Sequence, residues 1–275
     1  MLISEVPVVD VRGALTAQRE RLLDLLGTLS EAQRAAPTVA PGWSVKDIAL
    51  HLLDVDLRWI ARDRDRELSG LIPMDAGHAE FARGLGELNQ RWVAAARMLS
   101  GRMVTDLLRW SGEQLDAHLA TADLTRPGFV YWAGAAPLWF DLAREFTERW
   151  VHYRQVQAAT GAPGPASGAP DEYLPLVLRT FIWGYPHQYA AAAPAGTTVA
   201  VEIDDASALS WTLTRLADGW SLSEGRPAVP AAALRMSGEA AWRLLTGAPY
   251  EEREVEVSGD PALARPLLDV RGIIV

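Results

Sequence analysis

The sequence predicts an α+β protein in two parts, a helical bundle over residues 1–161 and a smaller α+β domain over residues 170–275. Before residue 161 the hydrophobic residues recur at helical spacing. From residue 197 onward they form short alternating runs that are rich in β-branched and aromatic side chains. Between the two parts, Gly161–Pro170 contains only Gly, Ala, Pro and Ser, which is typical of a linker.

Five helices are predicted before the linker. They cover residues 10–28, 44–65, 87–98, 102–120 and 137–161. Ser44 is a favourable N-cap, with Asp47 three residues later as a short version of the capping box. Pro137 suits the first turn of the last helix, and Gly161 suits its C-terminal cap. Because the connections are short, the pattern indicates an antiparallel bundle.

After the linker, residues 171–192 are predicted to be helical, and a mixed unit of strands and helices follows. The predicted strands are 197–203, 209–216, 220–222, 232–236 and 253–257. The predicted helices of this unit are 239–246 and 261–268. The mixture of elements predicts a second hydrophobic core of its own.

Composition excludes several classes of protein. The 275 residues carry a net charge of −9 with a pI near 5.1, which argues against a nucleic-acid binder, since phosphate neutralisation needs clustered Lys and Arg. The absence of cysteine excludes a disulfide framework, a zinc ribbon, an iron–sulfur cluster and a cysteine nucleophile. No stretch approaches the roughly 18–20 apolar residues of a membrane span. We therefore expect a cytoplasmic protein, monomeric or homodimeric, that binds neither nucleic acid nor membranes.

The last predicted bundle helix carries a candidate site. Glu148 and His152 stand four residues apart, so on a helix they share one face, and a divalent metal can bridge such a pair. The wider set lies on one line of the helix: Asp141, Glu145, Glu148, His152 and Gln155. Two interpretations stay open. The line is either a solvated stripe or an inward-facing site, and apolar residues on both of its edges favour the second, with Thr147 and Arg154 facing outward.

His51 lies at the margin of the apolar stripe of the second predicted helix. It is either a hydrogen-bonded boundary residue or a third ligand. With Glu148 and His152 it would complete a set of two histidines and one carboxylate, which leaves coordination positions for water or substrate. Spacing alone does not bring the two helices together.

The segment Pro41-Gly-Trp-Ser-Val-Lys-Asp-Ile-Ala-Leu-His51-Leu, followed by Glu148-Arg-Trp-Val-His152, resembles the DinB superfamily, and within it the mycothiol-dependent maleylpyruvate isomerase family of actinobacteria. The resemblance implies a four-helix bundle that binds a divalent metal, usually zinc, through His51, Glu148 and His152. The end of the chain, Leu234–Gly247 and Val257–Ala264, is similar to the sterol-carrier-like C-terminal domain of that family.

The resemblance implies an enzyme whose cofactors are a divalent metal and mycothiol or a similar low-molecular-weight thiol. We interpret the function as S-transfer to, or cis–trans isomerisation of, a small electrophilic substrate. Glu145 is a candidate proton carrier or ligand-orienting residue, and Arg58 a candidate substrate-binding residue, although both also fit ordinary surface roles. Arg149 and Arg235 are further candidates that the sequence favours as surface residues.

Two other functions stay open on the sequence. One is a hydrolase that uses a metal-bound water. The other is a non-catalytic protein that binds a small ligand or a metal. Three histidines match no motif, and we expect them to be structural or exposed: His78, His118 and His187.

Overall fold

The computed structural model describes residues 7–69, 78–128, 136–163, 171–205 and 207–272. The chain divides into two compact units, a helical unit over Val8–Ser167 and a C-terminal unit over Gly168–Val275. The predicted domain limits, 1–161 and 170–275, stay a prediction, because residues 164–170 of the expected linker lie outside the described residues. Among the described residues, no helix has both the length and the apolarity needed to cross a bilayer.

The helical unit contains six α-helices within its described residues. They are α1 (Arg12–Thr28), α2 (Glu31–Arg34), α3 (Val45–Trp59), α4 (His78–Ala96), α5 (Gly101–Leu119) and α6 (Leu138–Thr160). Four of them form a closed ring, in which α1 contacts α5, α5 contacts α3, α3 contacts α6, and α6 contacts α1. Helix α4 is not part of this ring and packs against α3. Leu26, Ile48 and Val156 are among the fully buried side chains at the centre of this unit.

The predicted caps are confirmed. The Ser44 hydroxyl accepts a hydrogen bond from the Asp47 amide, and the Asp47 carboxylate accepts one from the Ser44 amide at 2.9 Å. Pro137 precedes the first residue of α6, and Gly161 ends that helix in the left-handed conformation with φ of 67°.

Two helical segments differ from the prediction, and one helix is additional. Helix α4 begins at His78 and not at residue 87, because Gly84 and Gly86 weaken the helical signal of a segment that tertiary packing makes helical. The α3 segment ends in a π-helical turn, Ile60–Arg64. The short helix α2 was not predicted.

The C-terminal unit is built on a five-stranded sheet. Its strands are β1 (Thr198–Ile203), β2 (Ser210–Arg215), β3 (Trp220–Glu224), β4 (Ala232–Met236) and β5 (Val255–Gly259), in the spatial order β3-β2-β1-β4-β5. Strands β1 and β4 are parallel, and the other neighbours are antiparallel. Val199, Val201 and Leu213 are fully buried on the central strands.

The predicted helices 171–192 and 261–268 are shorter or interrupted in this unit, whereas the helix predicted over 239–246 is present and begins one residue earlier. The helices of this unit are α7 (Leu174–Phe181), α8 (Gly184–Gln188), α9 (Gly238–Thr246) and α10 (Pro261–Ala264). Pro186 lacks the amide N–H that would continue one helix from α7, and Pro266 has the same effect after α10, where a 3-10 turn over Arg265–Asp269 follows. A 3-10 turn at Glu252–Glu254 also delays β5 by two residues relative to the predicted strand.

Candidate metal centre

Two helices of the ring bring three candidate ligands together. His51 comes from α3, and Glu148 and His152 come from adjacent turns of α6. One ligand atom from each lies within 4.8 Å of the other two. His51 Nε2 is 2.8 Å from Glu148 Oε1, and His152 Nε2 is 3.9 Å from the same oxygen. The structure thus joins residues that are 97 positions apart in the sequence.

The polar line on α6 faces the interior. Asp141 is fully buried and Glu145 is only 5% exposed, so the interpretation of this line as a solvated stripe is wrong. Thr147, expected to face outward, is also fully buried, and its hydroxyl donates a hydrogen bond to the Arg144 carbonyl at 2.7 Å. The amphipathic pattern misleads here because buried arginines, and not solvent, compensate the carboxylates of α6.

The local contacts orient both imidazoles. His152 Nδ1 lies 2.8 Å from Gln155 Oε1, which is an acceptor, so Nδ1 carries the proton and Nε2 presents a lone pair toward Glu148. The ring of Trp43 lies 5.0 Å from that of His51 and 6.5 Å from that of His152, measured between centroids. His51 Nδ1 is buried without a hydrogen-bond partner among the described residues. The His51 side chain is only 3% exposed, whereas those of His152 and Glu148 are 14% and 18% exposed, so the centre is partly open to solvent.

The protonation states of Glu148 and His152 favour the binding of a cation. Burial alone would raise the pKa of Glu148, but the hydrogen bond from His51 and the charges of His51, His152 and Arg144 hold it well below its usual value. Burial and the neighbouring His51 lower the pKa of His152 to about 4. At neutral pH the site therefore holds an ionised carboxylate and a neutral His152, the protonation states in which these groups bind metals.

A buried ion-pair network supports the centre. Arg144 contacts Glu145 and lies 3.8 Å from Glu148 Oε2. Arg149 pairs with Glu145 at 3.0 Å and with Asp56 at 2.6 Å. The expectation that Arg149 is a surface residue is wrong, because it is only 8% exposed. Glu145 lies beside the proposed ligands, as a ligand-orienting residue would, with both of its oxygens engaged by arginines.

A cavity of about 570 Å³ opens beside the centre within the helical unit. His51, Glu148 and Glu145 form part of its wall, together with Arg58. Arg58 is half-buried and pairs with Asp54 at 2.8 Å, and it also donates a hydrogen bond to Asn89 Oδ1 at 2.8 Å. Its position agrees with a substrate-facing role, although its charge is already engaged.

Asp54, one turn after His51 on α3, also lines the cavity. Burial raises the pKa of Asp54, against the opposing charges of Arg58 and His51.

The remaining candidates lie elsewhere. Arg235 is exposed on β4 and pairs with Asp204 at 2.8 Å, as a surface arginine would. His118 Nε2 contacts the buried Asp63 at 2.7 Å, and His187 is exposed. The side chain of His78 lies outside the described residues.

Sequence reasoning gave no role to three features of the site. Arg144 was missed although it stands four residues before Glu148, a spacing that brings the two side chains together on a helix. Gln155 was identified only as part of the polar line. The cavity was missed, although α4 carries an apolar stripe at helical spacing that signals a buried face.

Comparison with known proteins gives a family match for the helical unit. The family model described as "Mycothiol maleylpyruvate isomerase N-terminal domain" matches residues 15–157, more than half of the chain. A crystal structure of the mycothiol-dependent maleylpyruvate isomerase is similar, with a TM-score of 0.59, 14% identity, and coverage of 96% of this chain and 98% of that chain.

A second crystal structure, of a histidine-to-alanine mutant of the mycothiol-dependent maleylpyruvate isomerase, has a TM-score of 0.53, 15% identity and the same coverage. These likenesses confirm the predicted α+β fold. No curated protein sequence matches. The family match confirms the resemblance read from the sequence, and the chain belongs to the mycothiol maleylpyruvate isomerase N-terminal domain family.

Proposed function

We propose that this protein is a metal-dependent enzyme that uses mycothiol, or a similar low-molecular-weight thiol, to transfer sulfur to a small electrophile or to isomerise it. The observation that carries the proposal is the convergence of His51, Glu148 and His152 on one point, beside a cavity that His51 and Glu148 line. The family match supports it, because the matching domain is named for a mycothiol-dependent isomerase. We propose the cytoplasm as its compartment, since thiols are kept reduced there.

The residues present fit a divalent metal, and zinc suits them best. Two imidazoles and one carboxylate form the donor set of many catalytic zinc sites. Ligand atoms about 2.0–2.1 Å from a tetrahedral ion lie about 3.3 Å from one another, and the distances of 2.8 and 3.9 Å from Glu148 Oε1 bracket this value. When bound, the metal lowers the pKa of a coordinating thiol, so that the thiol is deprotonated at neutral pH.

The chain's own residues hold this site in position. Gln155 fixes the tautomer and ring orientation of His152. The hydrogen bond from His51 keeps the Glu148 carboxylate ionised, and the charge of Arg144, 3.8 Å away, adds to this effect. We propose that Glu145 positions Arg144 and does not carry a proton, since its two oxygens are held by Arg144 and Arg149. The indole of Trp43 limits the access of water to the imidazoles.

The proposed reaction is an addition of sulfur to an activated double bond. With the thiol bound, one alkene carbon would accept its sulfur while the π electron pair moves onto the adjacent carbonyl group. Rotation about the resulting single bond and loss of the thiolate give the trans isomer with no net change in the thiol. Protonation of the second carbon instead gives a stable thioether, which is the S-transfer outcome.

Metal content and thiol dependence test the proposal. We expect the purified full-length protein to hold one metal ion per chain by elemental analysis, and His152→Ala to lose it. His118→Gln is the matched control, because His118 lies outside the centre and glutamine retains a hydrogen-bond donor toward Asp63. Full metal content in His152→Ala would remove the proposed centre. Turnover that is independent of added thiol would instead indicate a hydrolase.

A further inference from the structure

One wall of the cavity is apolar and continuous. Helix α4 contributes four residues at positions i, i+4, i+7 and i+11, and α3 contributes two more: Phe81, Leu85, Leu88 and Trp92 from α4, and Val55 and Trp59 from α3. The Trp92 indole N–H donates to the Leu50 carbonyl at 2.9 Å, so this donor is already engaged. The Trp59 indole N–H is buried without a hydrogen-bond partner among the described residues. This wall can therefore bury apolar surface of a ligand, and its unpaired donor suits an uncharged acceptor such as a carbonyl oxygen.

The arginines at or directly behind the cavity wall are matched one to one by carboxylates. The pairs are Arg58 with Asp54 at 2.8 Å, Arg62 with Asp141 at 3.6 Å, Arg144 with Glu145, and Arg149 with Asp56 at 2.6 Å. Two further charged residues of the described lining, Arg91 and Glu67, are exposed and of opposite sign. Apart from the candidate ligands, the described lining carries four arginines and three carboxylates. The buried Asp141 behind Arg62 supplies the fourth carboxylate, so the wall together with the layer behind it has no surplus of positive charge.

A bound metal does not change this balance. In the proposed function, Glu148 is a metal ligand, and the formal charge of a divalent ion is offset by this carboxylate together with one thiolate. An anionic substrate would then have to break an existing ion pair or stay unpaired in a site of low polarity, and both are costly.

We propose that the electrophile this cavity accepts is uncharged and largely apolar, and not a dicarboxylate. The inference rests on the proposed function for its chemistry, but it concerns only the charge and polarity of the cavity that His51 and Glu148 border. It specifies a small molecule with an activated double bond, such as an unsaturated ester or ketone, whose apolar part lies against the α4 stripe. The sulfur addition described above applies to it unchanged.

Binding of diethyl maleate and of maleate separates the two classes, because the molecules share one double bond and differ in charge. The metal-loaded protein is first given excess thiocyanate, a monoanion that takes the place of the thiolate at the metal, and is saturated with N-phenyl-1-naphthylamine, an uncharged probe that fluoresces in apolar sites. Each compound is then added without thiol. The ester has no protein thiol to alkylate, since the chain contains no cysteine. We expect the diester to displace the probe at a concentration on the order of 100-fold lower than maleate.

A variant that removes one charge from the cavity lining gives a second, independent test. Asp54→Asn releases Arg58 from its carboxylate, so we expect maleate to bind about tenfold more tightly while the diester changes little. Glu87→Gln is the matched control, because it removes the same charge from an exposed pair with Arg83 on α4, away from the cavity lining. Equal gains in maleate affinity in the two variants would contradict the inference that Asp54 prevents Arg58 from binding an anion in the cavity.

Turnover with mycothiol keeps the two proposals distinguishable. A preference for the diester in binding, without thiol-dependent turnover, would reject the proposed function and leave the inference about the cavity intact. Maleate binding as tight as, or tighter than, the diester overturns the inference even if the protein is an active enzyme. Failure of both compounds to displace the probe overturns it as well.

Discussion

The buried pair of Arg149 and Asp56 allows a sharp test of how the helical unit is stabilised. In Arg149→Met the long aliphatic part of the side chain is largely kept, while the guanidinium group is lost. The change leaves Asp56 and Glu145 buried with one ionic partner fewer each, since their side chains are only 4% and 6% exposed. We therefore expect a large loss in the free energy of unfolding.

The expected magnitude follows from the contacts that remain. Removing one partner of a buried ion pair costs about 3–5 kcal/mol. Asp56 still accepts a hydrogen bond from the Ser111 hydroxyl at 2.8 Å, and Glu145 still contacts Arg144. These contacts place the expected cost at the lower end, about 3 kcal/mol. That is a substantial share of the roughly 5–15 kcal/mol by which domains are stable.

Native-state hydrogen exchange of the α5 and α6 amides is the assay, because it reports the opening free energy of this unit separately from the C-terminal one. Arg102→Met is the matched control, since Arg102 is 93% exposed and lies 3.8 Å from Asp106. We expect the control to change the opening free energy by less than about 1 kcal/mol. A similarly small effect of Arg149→Met would refute the reasoning, as would a double variant with Asp56→Asn that recovers none of the loss.

Two further predictions concern other polar contacts. Gln155→Leu removes the acceptor that orients His152, so we expect metal affinity to fall about 10–100-fold in a competitive chelator titration, with Gln90→Leu on α4 as an exposed control. Burial would raise the pKa of Asp63, but hydrogen bonds from His118 and Arg126 hold it below its usual value. Its stabilisation is therefore complete above about pH 4 and is lost as the pH falls through the folded-state pKa. The cost of Asp63→Asn, measured by the same hydrogen-exchange assay, should thus be clear at pH 7 and shrink in acid, and a constant cost would contradict the assignment.

Local rules were sufficient for most elements and for two of the three candidate ligands. The cap at Ser44 and the left-handed end of α6 at Gly161 depend on residues within a few positions, and both are as predicted. The spacing of Glu148 and His152 likewise needs only the helical period. The position of His51 beside Glu148 and His152 depends on how α3 packs against α6. No local pattern encodes this packing, and only the family resemblance predicted this position.

The charged residues of α6 were harder to place, because their partners lie on other helices. An arginine is ordinarily exposed, so the prediction of a surface position for Arg149 followed the usual rule. Its burial depends on Asp56, which comes from α3 and is 93 positions away. The predicted start of α4 was wrong for a related reason. The packing of its apolar stripe overrode the low helix propensity of two glycines.

The failure of the amphipathic rule on α6 indicates where the function lies. A helix that buries Asp141, Arg144, Glu145 and Arg149 must supply every charge with a partner, and an apolar helix of similar volume would be as stable or more so. Such a costly arrangement is expected where a site has to be held in one geometry and one protonation state. The network also engages the arginines that would otherwise attract anions. The ion pairs that would hold the proposed metal centre in position are therefore the same ones that leave the cavity suited to the uncharged substrate proposed above.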